Sequence, residues 1–360
     1  MAKIDQLLRI VKQANATDLH LAAGSVPMVR SGGGLDKTSH KKLTSEAIKA
    51  LLYEILSDTQ IKRFEQSGDL DFAYSIDQVA RFRINMYKMI TGIAAAVRVI
   101  PEHIYTLNDL GFSETVAKLA EHRGGLVLVT GPTNSGKSTT LAAMVDYINS
   151  RFSKHIITLE DPIEFVHHPQ NSLVSQRQIG LHSESFASAL RAALREDPDV
   201  ILVGEMRDTE TISLAITAAE TGLLVLGTLH TCTAVGTIDR IIDVFPADYQ
   251  QQIRIMLADT LRGVVSQQLL NRADGSGRIV AYELMLSSPS IRNQIREART
   301  HQIPSTIQTG RKQGMRLLDS HLKALVDSGI ITPQEAVRVA TDPAEFYSKV
   351  NLEDSQPVEV

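Results

Sequence analysis

Short apolar runs interrupted by polar residues dominate the first hundred residues and predict β-strands there. The runs are LHLAAG and MVRSGGGL, around glycine turns, followed by LDFAYSI, ARFRINMY and TGIAAAVRVI. Two segments have helical spacing instead. One is SEAIKALLYEIL, and the other is N-terminal, with Ile4, Leu7, Leu8 and Val11 on a face that we expect to pack on its own domain. The pattern predicts a small α+β domain over residues 1–101.

Beyond a predicted linker, residues 102–111, the pattern alternates between strand and helix. The strands are LVLVT, IITLE, VILVGE and LLVLGTLH, and a helix between the last two can begin at Asp208 and end at Gly222. Such alternation is typical of an α/β fold with a mostly parallel sheet covered on both faces. We assign this domain to residues 112–350, and we predict that the polar, aperiodic segment 351–360 is disordered.

The segment GPTNSGKSTT joins the strand LVLVT to a helix and reads G-x-x-x-x-G-K-[ST]. A glycine-bounded turn between a buried strand and a helix start directs several backbone N–H groups at an anion. Lys137 would reach the β- and γ-phosphates of a nucleotide, and Ser138 would hold Mg²⁺. Asn134 fits the turn because Asn adopts left-handed backbone geometry at small cost. The predicted nucleotide-binding residues are Gly131, Thr133, Ser135, Gly136, Lys137, Ser138 and Thr139.

The carboxyl ends of the later strands carry acidic and histidine side chains. Glu160 and Asp161 follow IITL, Glu205 follows VILVG, and His230 ends LLVLGTLH. Ligands in open α/β sheets bind at those ends of the strands. We therefore expect these groups to converge on the nucleotide that Lys137 binds.

Glu205 is the residue that we expect to orient or activate the water that attacks a nucleoside triphosphate, because hydrolysis needs a positioned water, a metal and charge stabilisation. The alternative is an ordinary helix-start carboxylate. Gly204 stands where many P-loop proteins carry a magnesium-liganding Asp, so metal binding would depend on Ser138 and waters. Glu164 belongs either to a second acidic cluster of the site or to a solvated loop, and His230 either senses the γ-phosphate or is only hydrogen-bonded.

Composition and charge limit the partners and the compartment. The 360 residues suggest two domains, and a formal net charge of -4 gives no overall basic field, so we expect no nucleic-acid partner. The single cysteine, Cys232, excludes an internal disulfide framework and a four-cysteine zinc site. No apolar run approaches the ~20 residues needed to cross a bilayer, and the N-terminus lacks the apolar core of a signal peptide. We expect a cytosolic protein.

Three arginines of the first domain form a further candidate set. Arg81 and Arg83 alternate with Phe82 and Ile84, which places both guanidinium groups on one face of a strand, and Arg98 lies in the next strand. Such a set is either an exposed basic face or a group of arginines that reach a phosphate bound by another subunit.

The motifs in their order resemble those of the bacterial secretion ATPases, and within them the PilT-like type IV pilus retraction ATPases. The resemblance covers the chain to about residue 350. It is carried by ATDLHLAAG, ARFRINMY followed by VRVIP, GPTNSGKSTT, ITLEDPIEFVH, VILVGEMRD, GTLHT and SIRNQIRE. It implies a PAS-like first domain, a RecA-like second domain, and a ring-shaped homohexamer whose ATP sites are closed by the neighbouring subunit.

On matching positions, the resemblance implies that Lys137 and Ser138 bind ATP and Mg²⁺, that Glu205 is catalytic, and that Glu164 and His230 assist it. It makes the three arginines of the first domain candidates for contacts in trans. It also implies that SIRNQIRE couples hydrolysis to movement, through Ile291, Arg292, Asn293, Ile295, Arg296 and Glu297. The implied partners are an inner-membrane pilus platform protein at the cytoplasmic face of the membrane and a related retraction ATPase.

Several positions depart from the family pattern, among them the stretch VRSGGGLD in the first domain. Asn134 replaces a glycine of the phosphate-binding loop, Leu223 replaces a histidine, and Ser290 and Gln294 replace Ala and Leu in the coupling motif. These changes leave the ATPase prediction intact.

Three other functions remain open from the sequence. A pilus-assembly or type II secretion ATPase is disfavoured, because such relatives usually carry a four-cysteine insertion and an extra N-terminal region that we do not find here. An accessory paralogue would bind nucleotide but contribute little force. A nucleic-acid translocase is the third, because RecA-like domains also move DNA.

Overall fold

The computed structural model describes residues 2–14, 16–31, 34–77, 79–100 and 103–347, so the predicted disordered tail lies outside the described residues. The chain divides into two compact units. The first comprises Met1–His103 with Pro162–Val166, and the second comprises Ile104–Asp161 with His167–Val360. Most of the predicted linker groups with the second unit, where Leu107 is buried in the core.

The first unit contains a six-stranded antiparallel sheet with the strand order β3-β2-β1-β6-β5-β4. Its elements are α1 (Ile4–Gln13), β1 (Asp18–Ala22), β2 (Met28–Ser31), β3 (Gly34–Lys37), α2 (Ser45–Tyr53), α3 (Asp58–Ser67), β4 (Asp69–Ile76), β5 (Ala80–Met89) and β6 (Gly92–Ile100). As predicted, α1 packs on its own unit, where Ile4, Leu8 and Val11 join the core with Phe82. The PAS-like designation stays a prediction.

Helix α3 was not predicted from the sequence, because only Phe64 among its ten residues is buried. Its ends explain why it forms. Ser57 and Gln60 make a reciprocal capping box at its start, and Gly68, with φ of 78°, ends it in the left-handed conformation.

The second unit contains a seven-stranded sheet with the order β13-β12-β7-β11-β10-β8-β9, in which only the β12–β13 pair is antiparallel. Its strands are β7 (Gly125–Thr130), β8 (His155–Glu160), β9 (Leu173–Gln178), β10 (Val200–Val203), β11 (Leu224–Leu229), β12 (Leu261–Asn271) and β13 (Arg278–Leu286). The predicted α/β class and all four predicted strands are confirmed. Strands β9, β12 and β13 are additional.

The helices of this unit cover both faces of the sheet. They are α4 (Glu114–Leu119), α5 (Lys137–Arg151), α6 (Phe186–Ala193), α7 (Thr209–Glu220), α8 (Ala234–Asp243), α9 (Ala247–Thr260), α10 (Pro289–Arg296), α11 (Ile303–Thr309), α12 (Leu318–Asp327), α13 (Pro333–Val337) and α14 (Ala344–Tyr347), with 3₁₀ turns at Thr300–Gln302 and Gly310–Gln313. As predicted, the Asp208 side chain caps α7 by accepting from the Thr211 N–H, and Gly222 follows its end with φ of 103°.

Strand β7 shows why the strands of the second unit are continuous apolar runs in the sequence. Leu126 and Leu128 belong to the core on one face of the sheet, and Val127 and Val129 belong to the core on the other. Successive side chains of a strand point to opposite faces, so a strand covered on both faces needs apolar residues throughout. Among the helices that the structure describes, none is long and apolar enough to cross a membrane.

Candidate functional site

The GPTNSGKSTT loop lies between the end of β7 and the start of α5, as predicted. Three residues take positive φ: Gly131 at 143°, Asn134 at 66° and Gly136 at 88°. A Cβ atom at Gly131 would lie 2.3 Å from the carbonyl oxygen of Gln267, so only glycine fits there. Asn134 adopts the left-handed conformation that the sequence predicted for it. The substitution of the family glycine therefore preserves the turn.

The loop presents its charged and hydroxyl groups at the start of α5. Lys137 Nζ donates to the carbonyl oxygens of Gly131 and Pro132, at 2.9 Å each. Ser138 is exposed in the first helical turn, where backbone N–H groups lack intrahelical acceptors and the helix dipole favours an anion. The buried hydroxyl of Ser135 has no hydrogen-bond partner among the described residues. These groups fit a bound phosphate, with Ser138 available to a magnesium ion.

A buried glutamine that the sequence analysis did not identify supports the phosphate-binding loop. Gln267 on β12 is buried, its Nε2 donates to the carbonyl oxygen of Ser135 at 2.7 Å, and its Oε1 accepts from Thr140 Oγ1 at 2.9 Å. The neighbouring Ser266 lies opposite Thr130, with their hydroxyl oxygens 2.7 Å apart. Polar residues inside the apolar run LRGVVSQQLL were the available sign, since a buried polar side chain needs partners.

We expect Gln267→Leu to raise the KM for ATP by about tenfold or more while lowering kcat less. The substitution removes the donor to Ser135 and the acceptor for Thr140, and a buried polar group left without its partner costs about 1–3 kcal/mol. Steady-state ATP titrations measure the split. Gln268→Leu is the matched control, because that half-exposed side chain is the next residue of the same strand. Equal KM values for the two variants would contradict a positioning role for Gln267.

The predicted position at the carboxyl edge of the sheet is confirmed for Glu205 and His230, and also for Glu160, which ends β8 beside β10; their convergence on a nucleotide stays a prediction. Strands β7, β11 and β10 are consecutive and parallel, so the loop, His230 and Glu205 follow ends of strands at the same edge. With strands about 4.8 Å apart, the β7 and β10 ends are about 10 Å apart. His230 Nε2 lies 2.7 Å from Glu205 Oε1.

Two side chains, His230 and Arg207, contact the Glu205 carboxylate. Arg207, which sequence analysis did not single out, also forms an ion pair with Glu205 Oε1. Burial alone would raise the pKa of Glu205, but Arg207 and His230 more than offset this, so the pKa is lowered from its usual value. The carboxylate is therefore ionised at neutral pH and can only accept, which requires His230 to carry its proton on Nε2.

The glycine before Glu205 also has a structural reason. A Cβ atom on Gly204 would lie 3.0 Å from the carbonyl oxygen of Leu159 on the adjacent β8, and the Gly204 carbonyl accepts from Thr228 Oγ1. The close approach leaves little room for the Asp that many P-loop proteins carry there. Nowhere in the described ranges do three or more His, Cys, Asp or Glu side chains form a group able to hold a metal ion. The residues present fit a magnesium ion held by Ser138 and the phosphates.

Other predicted site residues lie together in the first unit. Arg81 and Arg83 share a face of β5, and Arg83 lies directly opposite Arg98 on β6. Arg83 Nη2 is 2.7 Å from Asp71 Oδ2, and Arg83 Nη1 is 3.8 Å from Glu164 Oε1. Arg98 Nε donates to Asp18 Oδ1 at 2.8 Å. Arg83 and Arg98 thus have carboxylate partners within their own chain, which their spacing in the sequence did not reveal.

The segment SIRNQIRE forms α10 with the predicted cap. Ser288 accepts from the Ile291 N–H, and Ile291 and Ile295 are buried in the core of the second unit. The two arginines differ: Arg296 is ion-paired with Asp259, whereas Arg292 lines a cavity.

The remaining motif residues frame that helix. Asn293 is exposed, and Glu297 directly follows the last residue of α10. Gln294, where the family has Leu, donates from Nε2 to Thr306 Oγ1 at 2.9 Å. The polar side chain that replaces Leu therefore has a hydrogen-bond partner on α11.

The comparisons with known proteins agree with one another. The chain matches the family described as Type II/IV secretion system protein over residues 3–338. It is 48% identical over 343 residues to the type IV pilus retraction ATPase PilT of Pseudomonas aeruginosa, covering 95% of this chain and 99% of that protein. The type IV pilus ATPase PilU of the same organism is 36% identical over 350 residues, with 97% and 92% covered. A crystal structure of the pilus retraction motor PilT with bound ADP is similar with a TM-score of 0.89 at 44% identity, over 96% of this chain and 99% of that one.

Proposed function

The chain belongs to the type II/IV secretion system protein family, and from this membership we propose that it is an ATPase motor that drives the retraction of type IV pili. The observation that carries the proposal is the 48% identity to PilT along nearly the full length of both chains. The lower identity to PilU, at 36%, favours a principal motor over an accessory paralogue.

The proposed chemistry uses the edge of the sheet described above. Lys137 binds the β- and γ-phosphates of ATP, and Glu205 orients the attacking water with its carboxylate fixed by His230. Glu164 assists. Mg²⁺, held by Ser138, would neutralise charge on the phosphates. The lowered pKa of Glu205 supports a positioning and electrostatic role, because its carboxylate stays ionised through the physiological range.

The proposed assembly is a homohexamer at the cytoplasmic face of the inner membrane, where it acts on a pilus platform protein beside a related retraction ATPase. In such a ring, Arg81, Arg83 and Arg98 are the candidates to reach the nucleotide of a neighbouring subunit. For Arg83 and Arg98, this role requires an exchange of Asp71 and Asp18 for phosphate oxygens, which guanidinium groups bind with the same fork geometry.

Mixed rings test the arginines. We expect Ala at the responsible arginine to cut ATP hydrolysis, because the transition-state charge loses a stabilising cation, while each subunit stays folded. Co-expression of that variant with Lys137→Ala should restore part of the activity, since some interfaces then pair an intact loop with an intact arginine. Phosphate release from rings of confirmed composition is the measurement. No recovery would place the arginines' role within their own chain.

Deletion of the gene in the native host tests the direction of the motor. We expect surplus surface pili that do not retract and loss of surface motility, measured by electron microscopy and by single-cell tracking. Complementation with the wild-type gene should restore both. Absence of pili would identify an assembly ATPase, and near-normal motility together with weak hydrolysis by the purified protein would identify an accessory paralogue.

A further inference from the structure

We propose that the second unit carries a binding site for an acidic peptide segment of a partner protein, in a basic cavity at the edge of the sheet opposite to the phosphate-binding loop. The cavity has a volume of about 910 Å³ and its lining includes Lys118, His122, Arg123, Arg262 and Arg292. It is distinct from the nucleotide site. Gly124, in the lining, precedes β7, and the six residues of β7 place the loop about 20 Å away.

The charge of this cavity is unusual for the chain. Four cationic side chains line it against one carboxylate, Glu220, although the protein as a whole has a formal net charge of -4; one of the four, Lys118, is ion-paired with Glu114. Among the described residues, the Arg262 side chain donates to two neutral acceptors, from Nε to the Gly124 carbonyl at 2.8 Å and from Nη1 to the Asp259 carbonyl at 3.0 Å. Its positive charge therefore has no counter-charge in these contacts.

Two of the arginines are available to a ligand. Neither the Arg123 side chain nor the Arg292 side chain has a hydrogen bond or ion pair with another residue in the part of the chain that the structure describes. Burial lowers the pKa of His122, the neighbouring Arg262 lowers it further, and Glu121 opposes them in part. A bound carboxylate would accept from the arginines and offset their positive charge.

The shape and lining favour a peptide over a nucleotide or a small anion. Among the described residues, no Phe, Tyr or Trp side chain lines the cavity, so His122 is the one ring on which a base could stack. The cations come from α4 and the turn after it, from β12 and from α10, which suits several carboxylates spaced along an extended chain. The volume lies near the upper end of ligand pockets and far exceeds that of one phosphate.

The cavity is also connected to the nucleotide site through the sheet. The Arg262–Gly124 hydrogen bond joins the start of β12 to the residue before β7, and the other halves of these strands carry Gln267 and lead into the phosphate-binding loop. Arg292 brings the predicted coupling motif into the same cavity. A partner segment bound there contacts elements that also frame the ATP site. Binding itself does not depend on the proposed motor function.

The test is peptide binding to the full chain. A fluorescein-labelled octapeptide of alternating Asp and Glu is titrated at low ionic strength, and its anisotropy is compared with that of an Asn/Gln octapeptide. We expect the acidic peptide to bind and the neutral peptide not to bind. Arg123→Gln with Arg292→Gln should weaken binding by about tenfold or more, since each loses charge-assisted hydrogen bonds. Arg195→Gln with Arg278→Gln is the matched control, because both of those arginines are exposed and lie outside the cavity.

Three outcomes would overturn the proposal, and a lysine pair covers the case in which the glutamine pair does not fold. If the peptide does not bind the wild type, or if both double variants weaken binding equally, the cavity is an ordinary solvated basic surface. Displacement of the peptide by inorganic phosphate below about millimolar concentration would assign it to a phosphate-bearing ligand. If the glutamine pair loses its thermal unfolding transition, Arg123→Lys with Arg292→Lys replaces it. These lysines keep the positive charge but lack the forked guanidinium donors, so the peptide should bind with intermediate affinity. Wild-type affinity of the lysine pair would show that the guanidinium groups do not contact the peptide. ATP hydrolysis measured in parallel separates failure of this site from failure of the ATPase.

Discussion

Lys137→Ala is expected to lower ATP hydrolysis by at least about 10²–10³-fold and to weaken ATP binding as well. The substitution removes the cation that would face the phosphates. It also removes the two 2.9 Å hydrogen bonds by which Lys137 Nζ holds the Gly131 and Pro132 carbonyls, so the loop loses internal support. Phosphate release measures turnover, and a fluorescent nucleotide analogue measures binding.

The matched control for that variant is Lys154→Ala. Lys154 Nζ lies 3.2 Å from Asp199 Oδ1 in the same unit, so its loss removes one lysine and one partly exposed ion pair without touching the loop. Surface ion pairs contribute about 0–1 kcal/mol, and activity should stay near wild type. Comparable losses in the two variants would show that the unit is sensitive to any lost lysine, and the phosphate-binding assignment of Lys137 would fail.

The features that were predicted correctly from the sequence are those that depend on residues close together in the chain. Strand β7 was recognisable because burial on both faces requires an uninterrupted apolar run, and the loop after it because its glycines and Lys137 stand at fixed spacing. The Asp208 and Ser288 caps were equally local, since a capping side chain bonds to an N–H three residues ahead. Even the backbone geometry of Asn134 followed from the residue type.

What the sequence did not reveal depends on contacts between distant residues. Gln267 lies more than a hundred residues from the loop that it supports, and nothing in SQQ indicates which partner it meets. The pairing of Arg83 with Asp71 requires the register of β4 and β5, in which Ala73 lies opposite Arg83. Arg207 was adjacent to the catalytic candidate in the sequence, but its ion pair with Glu205 needed a three-dimensional structure.

Glu205→Gln is expected to separate ATP binding from hydrolysis. The amide keeps the shape of the carboxylate and can still accept from His230 Nε2, now 2.7 Å from Glu205 Oε1, so the edge of the sheet should keep its geometry. It loses the negative charge that attracts and orients the proton of an attacking water. Loss of such a group costs about 10²–10⁴-fold in turnover, while the phosphate contacts of Lys137 are untouched. The variant should therefore bind ATP and retain it unhydrolysed, as measured by nucleotide analysis of the washed protein.

Glu210→Gln separates this effect from a general loss of negative charge near the start of α7. Glu210 is exposed and paired with Arg191, on the helix that begins soon after Glu205, and its neutralisation should leave turnover near wild type. If Glu205→Gln retains wild-type turnover, the catalytic role moves to Glu164, whose carboxylate lies 3.8 Å from Arg83. If instead Glu205→Gln loses ATP binding together with hydrolysis, the carboxylate is needed to order the site rather than to position water. Because Arg207 and His230 both contact the Glu205 carboxylate, that second result would identify the three side chains as a structural cluster at the edge of the sheet.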